Sequence, residues 1–184
     1  MSSDQARLVP YQPLDLKEPA DLVEAIRQRR GGDLINLDRM LLHSAPFAKG
    51  WNAFLGEVRN NLGLDPKLRE LAMCGVAVIN GAEYEFIHHA PVFLAAGGSE
   101  AQVAGMRQIG QNKLPVGLFA PLEEDAIELT IQMTKQVQVS QDLMGRLQDL
   151  LGTQHLVELV GVIATYNMVS RFLVALNVTP EQHP

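Results

Sequence analysis

The chain has 184 residues, of which 47% are hydrophobic and 20% are charged, the balance of a folded globular protein rather than a disordered one. Its formal net charge of −6 argues against nucleic acid as a partner, because a domain that binds nucleic acid carries a basic stripe. The single cysteine, Cys74, excludes an intrachain disulfide, a cysteine-rich metal site and a redox pair of thiols.

The N-terminal segment contains prolines but no apolar run of the signal-peptide kind. The longest apolar stretches, residues 71–79 and 159–164, are shorter than the roughly 20 residues of a membrane span, so we expect a cytoplasmic protein without membrane contact. Residues 1–17 show little periodicity and predict an extended arm, either mobile or laid across a neighbouring subunit. Residues 18–184 are predicted to form a single helical domain.

Helical spacing of apolar residues, with start and stop signals, accounts for most of the chain after the arm. No segment shows convincing strand alternation, so the predicted fold is an all-α helical bundle of eight or nine helices. Residues 110–120 are predicted to form a loop. The helices are expected at residues 19–30, 34–43, 46–60, 66–80, 82–96, 99–109, 121–137, 140–151 and 154–177.

The predicted helix that follows Asp65 is the most apolar of the chain. Asp65 can cap it, Pro66 suits its first position, and beyond the first turn it is apolar on all sides, so it should lie at the centre of the bundle. Asn80-Gly81 ends it, and the next helix contains Pro91, which should kink that helix and leave the carbonyl of Ile87 without its usual donor.

Ionisable groups gather around this break between two apolar segments. Glu85 shares a helix face with His88 and His89, because residues three and four apart are neighbours on a helix. A carboxylate beside an imidazole fixes its tautomer and raises its basicity, the arrangement of an acid–base histidine. Glu70 lies on the preceding helix, and a two-residue break forces the two helices to pack together, so Glu70 can reach the same ring.

These residues resemble a known superfamily. The segments Arg69-Glu70-Leu71, Asn80-Gly81 and residues 83–89, with residues 156–171 and 36–51 on either side, are similar to the carboxymuconolactone decarboxylase and alkyl hydroperoxidase D-like proteins. The similarity covers roughly residues 25–178. It implies an all-helical domain of the alkyl hydroperoxidase D-like type that assembles as a homo-oligomer, often a trimer or hexamer.

The peroxidase branch of this superfamily carries a Cys-x-x-Cys pair with a glutamate before it and a histidine after it. On this chain the glutamate falls on Glu70 and the histidine on His89, but the cysteine positions hold Ala82 and Glu85. Thiol–disulfide exchange needs an attacking and a resolving sulfur, so that peroxidase mechanism cannot operate here. Cys74, one turn after Glu70, is predicted to be an inert core residue rather than a lone peroxidatic thiol.

The decarboxylase branch is the better match, because its Glu-x-Glu-Phe-x-x-His pattern recurs in residues 83–89. The resemblance implies cofactor-free loss of CO₂ from a small organic acid or lactone, with no metal. It makes His89 the acid and Glu85 and Glu70 the residues that orient it. Tyr84, His88 and Tyr166 are then the candidates for binding the substrate or its oxyanion, and Trp51 is a candidate pocket wall.

Two other interpretations remain open at this stage. Glu85-x-x-His88 is the Glu-x-x-His unit of di-iron helical bundles, although such sites use two units and the sequence offers one. Alternatively, the polar cluster is structural and satisfied within a subunit interface, in a member of the superfamily that has no activity.

Overall fold

The computed structural model describes residues 8–109 and 117–181. Within these ranges the chain is all-helical and contains no strand, which confirms the predicted fold class. The helices are α1 (Ala20–Arg30), α2 (Asn36–Leu41), α3 (Ala45–Asn60), α4 (Pro66–Asn80), α5 (Glu83–Ala95), α6 (Glu100–Met106), α7 (Pro121–Gln136) and α8 (Gln141–Ala175). Of the predicted loop at 110–120, residues 110–116 lie outside the described ranges.

The last helix differs most from expectation, because two predicted helices form one continuous element. Gly152 has non-helical dihedral angles inside α8 (φ 72°, ψ 172°) and marks the junction of its two parts. Left-handed backbone of this kind favours glycine, which has no Cβ to clash. Within the described residues the chain has eight helices if α8 is counted as one element and nine if it is counted as two, in agreement with the prediction.

The chain divides into two compact units, one formed by the residues up to Asn61 with those from Ala175 onward, the other by Leu62–Val174. The first unit contains α1, α2 and α3, and its core includes a buried carboxylate. Asp38 is 1% exposed and accepts hydrogen bonds from Arg30 at 2.9 and 3.1 Å and from Arg29 at 3.3 Å. These guanidinium groups provide the pairing that a buried acid requires.

Residues 8–17 contain no helix and make hydrogen bonds within their own unit. The hydroxyl of Tyr11 accepts from the backbone N–H of Thr179 at 2.8 Å, and the His43 ring bonds the carbonyl of Pro10 at 2.6 Å. Gln12 donates its backbone N–H to the carbonyl of Arg39 at 3.4 Å. This part of the predicted arm is therefore attached to its own chain, while the division into an arm and one helical domain stays a prediction.

In the second unit α4 is the central helix, as predicted. Every residue from Glu70 to Ala77 is buried, and α4 packs against α5 and α7. The side chain of Asp65 accepts from the N–H of Leu68 at 3.0 Å and caps its start. Gly81 adopts a left-handed conformation (φ 67°) at its end, so the chain turns at once into α5.

The turn after α5 depends on a close approach of backbone to ring. A Cβ at Gly98 would lie 2.1 Å from the ring of Phe93, a fully buried side chain, so only glycine fits there. The helix itself continues through Pro91 as far as Ala95. Ser99 and Gln102 then form the predicted capping box at the start of α6, with reciprocal bonds of 3.2 and 3.1 Å.

Among the described residues, α8 is long and apolar enough to cross a membrane, by length and composition alone. The sequence did not suggest this, because its apolar stretches are short when taken separately. The most apolar window of α8 is 44% buried. The inward face carries Leu159, Val162, Ile163 and Tyr166, each fully buried. Since the core helix of a globular domain passes the same test, α8 is weak evidence for a membrane span.

Candidate active site

The junction of α4 and α5 brings a glutamate and a histidine together. The Nδ1 atom of His89 lies 2.7 Å from Oε2 of Glu70, and both side chains are largely buried, 12% and 4% exposed respectively. Because Gly81 reverses the chain between the two helices, residues nineteen positions apart in sequence become direct hydrogen-bond partners. The structure thus makes the contact that the short break between the helices predicted.

The second oxygen of Glu70 is also bound. Nε of Arg69 donates to Oε1 at 3.2 Å, so one carboxylate joins a guanidinium and an imidazole. Burial raises the pKa of Glu70, but its hydrogen bond to His89 and the positive charges of His89 and Arg69 outweigh this effect and hold the pKa below its usual range. An ionised Glu70 can only accept, so Nδ1 of His89 carries the shared hydrogen.

The two adjacent histidines have different surroundings. Nδ1 of His88 donates to the backbone carbonyl of Tyr84 at 2.7 Å, and its ring stacks on the ring of Tyr84 with centroids 4.3 Å apart. His89 instead meets Tyr166 of α8 edge to face, with centroids 4.9 Å apart and ring planes at 87°. Of the candidates for substrate contact, Tyr166 therefore lies against the His89 ring, while Tyr84 and His88 pair with each other.

Glu85 is 1% exposed and lies near Cys74 rather than at the protein surface. Burial of the Cys74 thiol and the negative charges of Glu70 and Glu85 raise the pKa of Cys74 well above its ordinary value. The thiol therefore stays protonated at neutral pH. Because the thiolate is the reactive form, Cys74 is an inert core residue, as its position in an apolar helix predicted.

Comparison with known proteins places a family match over the part of the chain that contains these residues. The model of the carboxymuconolactone decarboxylase family matches residues 45–110, which include Glu70, Glu85 and His89. This part of the chain is similar to the carboxymuconolactone decarboxylase family. The positions where the sequence resemblance places redox cysteines hold Ala82 and Glu85, and both are buried.

Two solved structures have the same fold. An uncharacterized peroxidase-related protein from Silicibacter sp. TM1040 is 16% identical, with a TM-score of 0.71 over 98% of this chain and 95% of that one. An uncharacterized peroxidase-related protein from Ralstonia eutropha JMP134, described as an alkylhydroperoxidase core, is 14% identical, with a TM-score of 0.77 over 94% and 92%. No curated protein sequence matches the chain.

A polar network on α8 fixes the helix that carries Tyr166. Asn80, the last residue of α4, donates to Oδ1 of Asn167 at 3.1 Å and to Oγ of Ser170 at 2.7 Å. Asn167 donates in turn to Oγ1 of Thr134 on α7 at 3.0 Å. The sequence signalled a need for partners by placing Asn167 in an apolar helix, but only the structure identifies them.

Trp51 belongs to the first unit, where it is buried and packs edge to face against Phe47 with centroids 5.7 Å apart. Its role as a pocket wall stays a prediction. Within residues 8–109 and 117–181, no group of three or more His, Cys, Asp or Glu side chains is arranged to hold a metal ion.

Replacing Glu70 should change how stability depends on pH. The folded pKa of Glu70 is depressed from 4.5, so its ionised form contributes stability above about pH 4.5, and this contribution is lost as the pH falls through the folded value. At neutral pH we expect the free energy of unfolding of Glu70→Gln to be about 2 kcal/mol lower than that of the wild type, since a hydrogen bond to a charged group contributes about that much. Its melting temperature should fall less than that of the wild type between about pH 5 and pH 3.

Circular-dichroism melts at a series of pH values measure this difference. Glu128→Gln is the matched control, because Glu128 is half-exposed on α7 and meets Arg146 at 3.4 Å, a surface pair of small energetic weight. The control should keep the acid dependence of the wild type. If Glu70→Gln also keeps it, the ionised form of Glu70 does not contribute the stability that its hydrogen bonds imply.

Proposed function

We propose that this chain is a cofactor-independent enzyme of the decarboxylase type, acting on a small organic acid or lactone, with His89 as its acid–base group. The observation that carries the proposal is the 2.7 Å contact between His89 Nδ1 and Glu70 Oε2, made inside an apolar core by two adjoining helices. A histidine held in this way has one tautomer and one orientation, which general acid–base catalysis requires.

In the proposed reaction the bond between a ring carbon and its carboxylate breaks and CO₂ leaves. The electron pair remains on the substrate and delocalises into the conjugated lactone carbonyl as an enolate. His89, protonated on Nε2, then gives that proton to carbon and recovers one from solvent. Glu70 stabilises the imidazolium through Nδ1, and no electron acceptor or metal is needed for the balance.

The apolar surroundings favour this chemistry as well. Charge is spread more widely in the enolate than in the starting carboxylate, so a site that excludes water destabilises the starting state more than the transition state. The edge of Tyr166 and the buried face of α4 form such surroundings next to His89. Glu85 adds a second acid to the same core, and we propose that it helps to set the charge of the site.

A thiol peroxidase is the second candidate, because both solved neighbours are called peroxidase-related. This function would depend on Cys74, the single cysteine of the chain. Its side chain is fully buried and its pKa is raised, so the thiolate that attacks a peroxide is scarce. The geometry therefore supports acid–base chemistry better than peroxide reduction.

The decisive substitution is His89→Gln, which keeps a polar side chain but cannot exchange a proton at neutral pH. We expect turnover of a carboxylated unsaturated lactone to fall by about 10²- to 10⁴-fold, the usual contribution of a positioned acid or base. The melting temperature should fall no further than that of Glu70→Gln, because a glutamine amide can still donate to Glu70 and Arg69 still pairs with it. Loss of the lactone absorbance and release of CO₂ measure the rate.

His155→Gln is the control, since His155 lies near Gly63 and away from the Glu70–His89 pair along α8. It should retain wild-type turnover. If His89→Gln unfolds the protein and the wild type consumes no lactone, the polar cluster is structural and the proposal is wrong.

Replacing the thiol tests the peroxidase candidate. We expect Cys74→Ala to consume hydrogen peroxide and an organic hydroperoxide at the same slow rate as the wild type, because a buried, protonated thiol does not react. Measurement of peroxide loss in the presence of a dithiol reductant gives both rates. Wild-type activity that disappears in Cys74→Ala would favour peroxide reduction instead.

We also propose that the chain forms a homo-oligomer, a trimer or hexamer. Exposed apolar side chains on α8 support this, because a subunit interface would remove their surface from water. Val157 is 65% exposed, Met168 40% and Val174 51%. Light scattering after size exclusion should give three or six times the chain mass of 20.2 kDa. The double variant Val157→Lys/Met168→Lys should give a smaller species, and a monomeric wild type would contradict the proposal.

A further inference from the structure

Arg69 lies beside the Glu70–His89 pair, and the proposed acid–base mechanism uses only its bond to Glu70. Its side chain is 14% exposed, and Nε donates to Oε1 of Glu70 while His89 holds the other oxygen. The guanidinium and the imidazole therefore flank one carboxylate. Within the described part of the chain, the bond from Nε is the single hydrogen bond of this side chain.

A guanidinium carries five N–H donors, and Nε uses one of them. The other four are on the two terminal nitrogens, in a planar fork that matches the two oxygens of a carboxylate. The bond to Glu70 restricts the orientation of the whole group, so the fork loses little freedom when it binds. Arg69 thus has the form of a preorganised receptor for an anion next to His89.

We propose that the terminal nitrogens of Arg69 bind a carboxylate of the substrate beside His89, which makes the substrate class an organic acid. This inference rests on the proposed function, because it assigns the substrate group that the acid–base site must hold. Tyr84, His88 and Tyr166, the sequence-based candidates for this role, are aromatic groups that carry no permanent positive charge, and Arg69 carries one.

The other charges of the site favour a singly charged ligand. Arg69 and Glu70 come from α4, and Glu85, His88 and His89 come from α5, while α8 contributes the phenol of Tyr166. Two of these groups are acidic, so a dianion such as phosphate is repelled more strongly than a carboxylate. The same acids make the guanidinium necessary, since without it an anionic ligand would meet two like charges and no permanent positive charge.

The carboxylate held by Arg69 is one that the substrate keeps. An ion pair stabilises a carboxylate relative to neutral CO₂, so an arginine on the departing group would bind the ground state better than the transition state and slow its loss. A substrate that loses CO₂ here therefore carries a second acid group, which the guanidinium anchors while the first leaves on the apolar side. Anchoring of this kind orients the reacting carbon toward His89.

Binding of a simple acid tests the inference without any turnover. The probe is 2-furoate, a flat five-membered ring with one carboxylate, and methyl 2-furoate is its uncharged match. We expect 2-furoate to bind the wild type and to shift the imidazole signals of His89 in NMR spectra. Arg69→Met should weaken this binding by about tenfold or more, because a charge-assisted bond is lost. Binding of the ester should not depend on Arg69.

Two further variants make the result specific. Arg107→Met removes an exposed arginine, half of whose side chain is accessible and which pairs with Glu83 at 2.9 Å, and it should keep wild-type affinity. Arg69→Lys keeps the charge without the planar fork and should bind 2-furoate with an affinity between those of the wild type and Arg69→Met. If Arg69→Met does not fold, the comparison of Arg69→Lys with the wild type decides.

Equal affinity for 2-furoate in the wild type and the folded Arg69 variants would overturn the inference, and so would the absence of saturable binding to the wild type. Neither result touches the proton chemistry, which is measured by turnover in His89→Gln. Conversely, an inactive wild type that still binds 2-furoate through Arg69 would remove the proposed reaction and leave the anion site in place.

Discussion

The hydrogen bond between Glu70 and His89 is the contact on which the proposed chemistry of this protein depends. It is made across two helices in the most apolar part of the chain, where an isolated carboxylate would be driven to protonate. Two donors, His89 and Arg69, keep the acid ionised there, one on each oxygen. The pair thereby holds a negative charge in the core, and that charge determines which nitrogen of His89 carries the shared hydrogen.

The same core shows how a shared fold and the chemistry of its side chains can separate. The fold is shared with proteins called peroxidase-related, yet this chain has Ala82 and Glu85 where the resemblance places redox cysteines. Burial raises the pKa of the Cys74 thiol and the negative charges of Glu70 and Glu85 raise it further, so the reactive thiolate is scarce at neutral pH. Function depends on the side chains placed on the fold rather than on the fold itself.

The surrounding structure keeps the pair in place through polar contacts at helix ends. Asn80 joins the end of α4 to Asn167 and Ser170 of α8, and Asn167 reaches Thr134 of α7. Tyr166 is the neighbour of Asn167 in sequence, so the network that fixes the backbone there also fixes the ring that meets His89. Partly buried polar groups that bond one another across helices favour one arrangement of the core over several.

The sequence alone determined the helices and the residue types at their junction, because apolar spacing, the Asp65 cap and the Asn80-Gly81 stop are local signals that act over a few residues. It also placed Glu85, His88 and His89 on one turn of α5, since helical geometry alone decides which positions are neighbours. Only the tertiary structure decided that His89 pairs with Glu70, that His88 turns to the carbonyl of Tyr84, and that Arg69 occupies the second oxygen of the acid. These contacts depend on how α4 and α5 cross and on which rotamers their packing allows. The spacing of residues along the sequence determines neither.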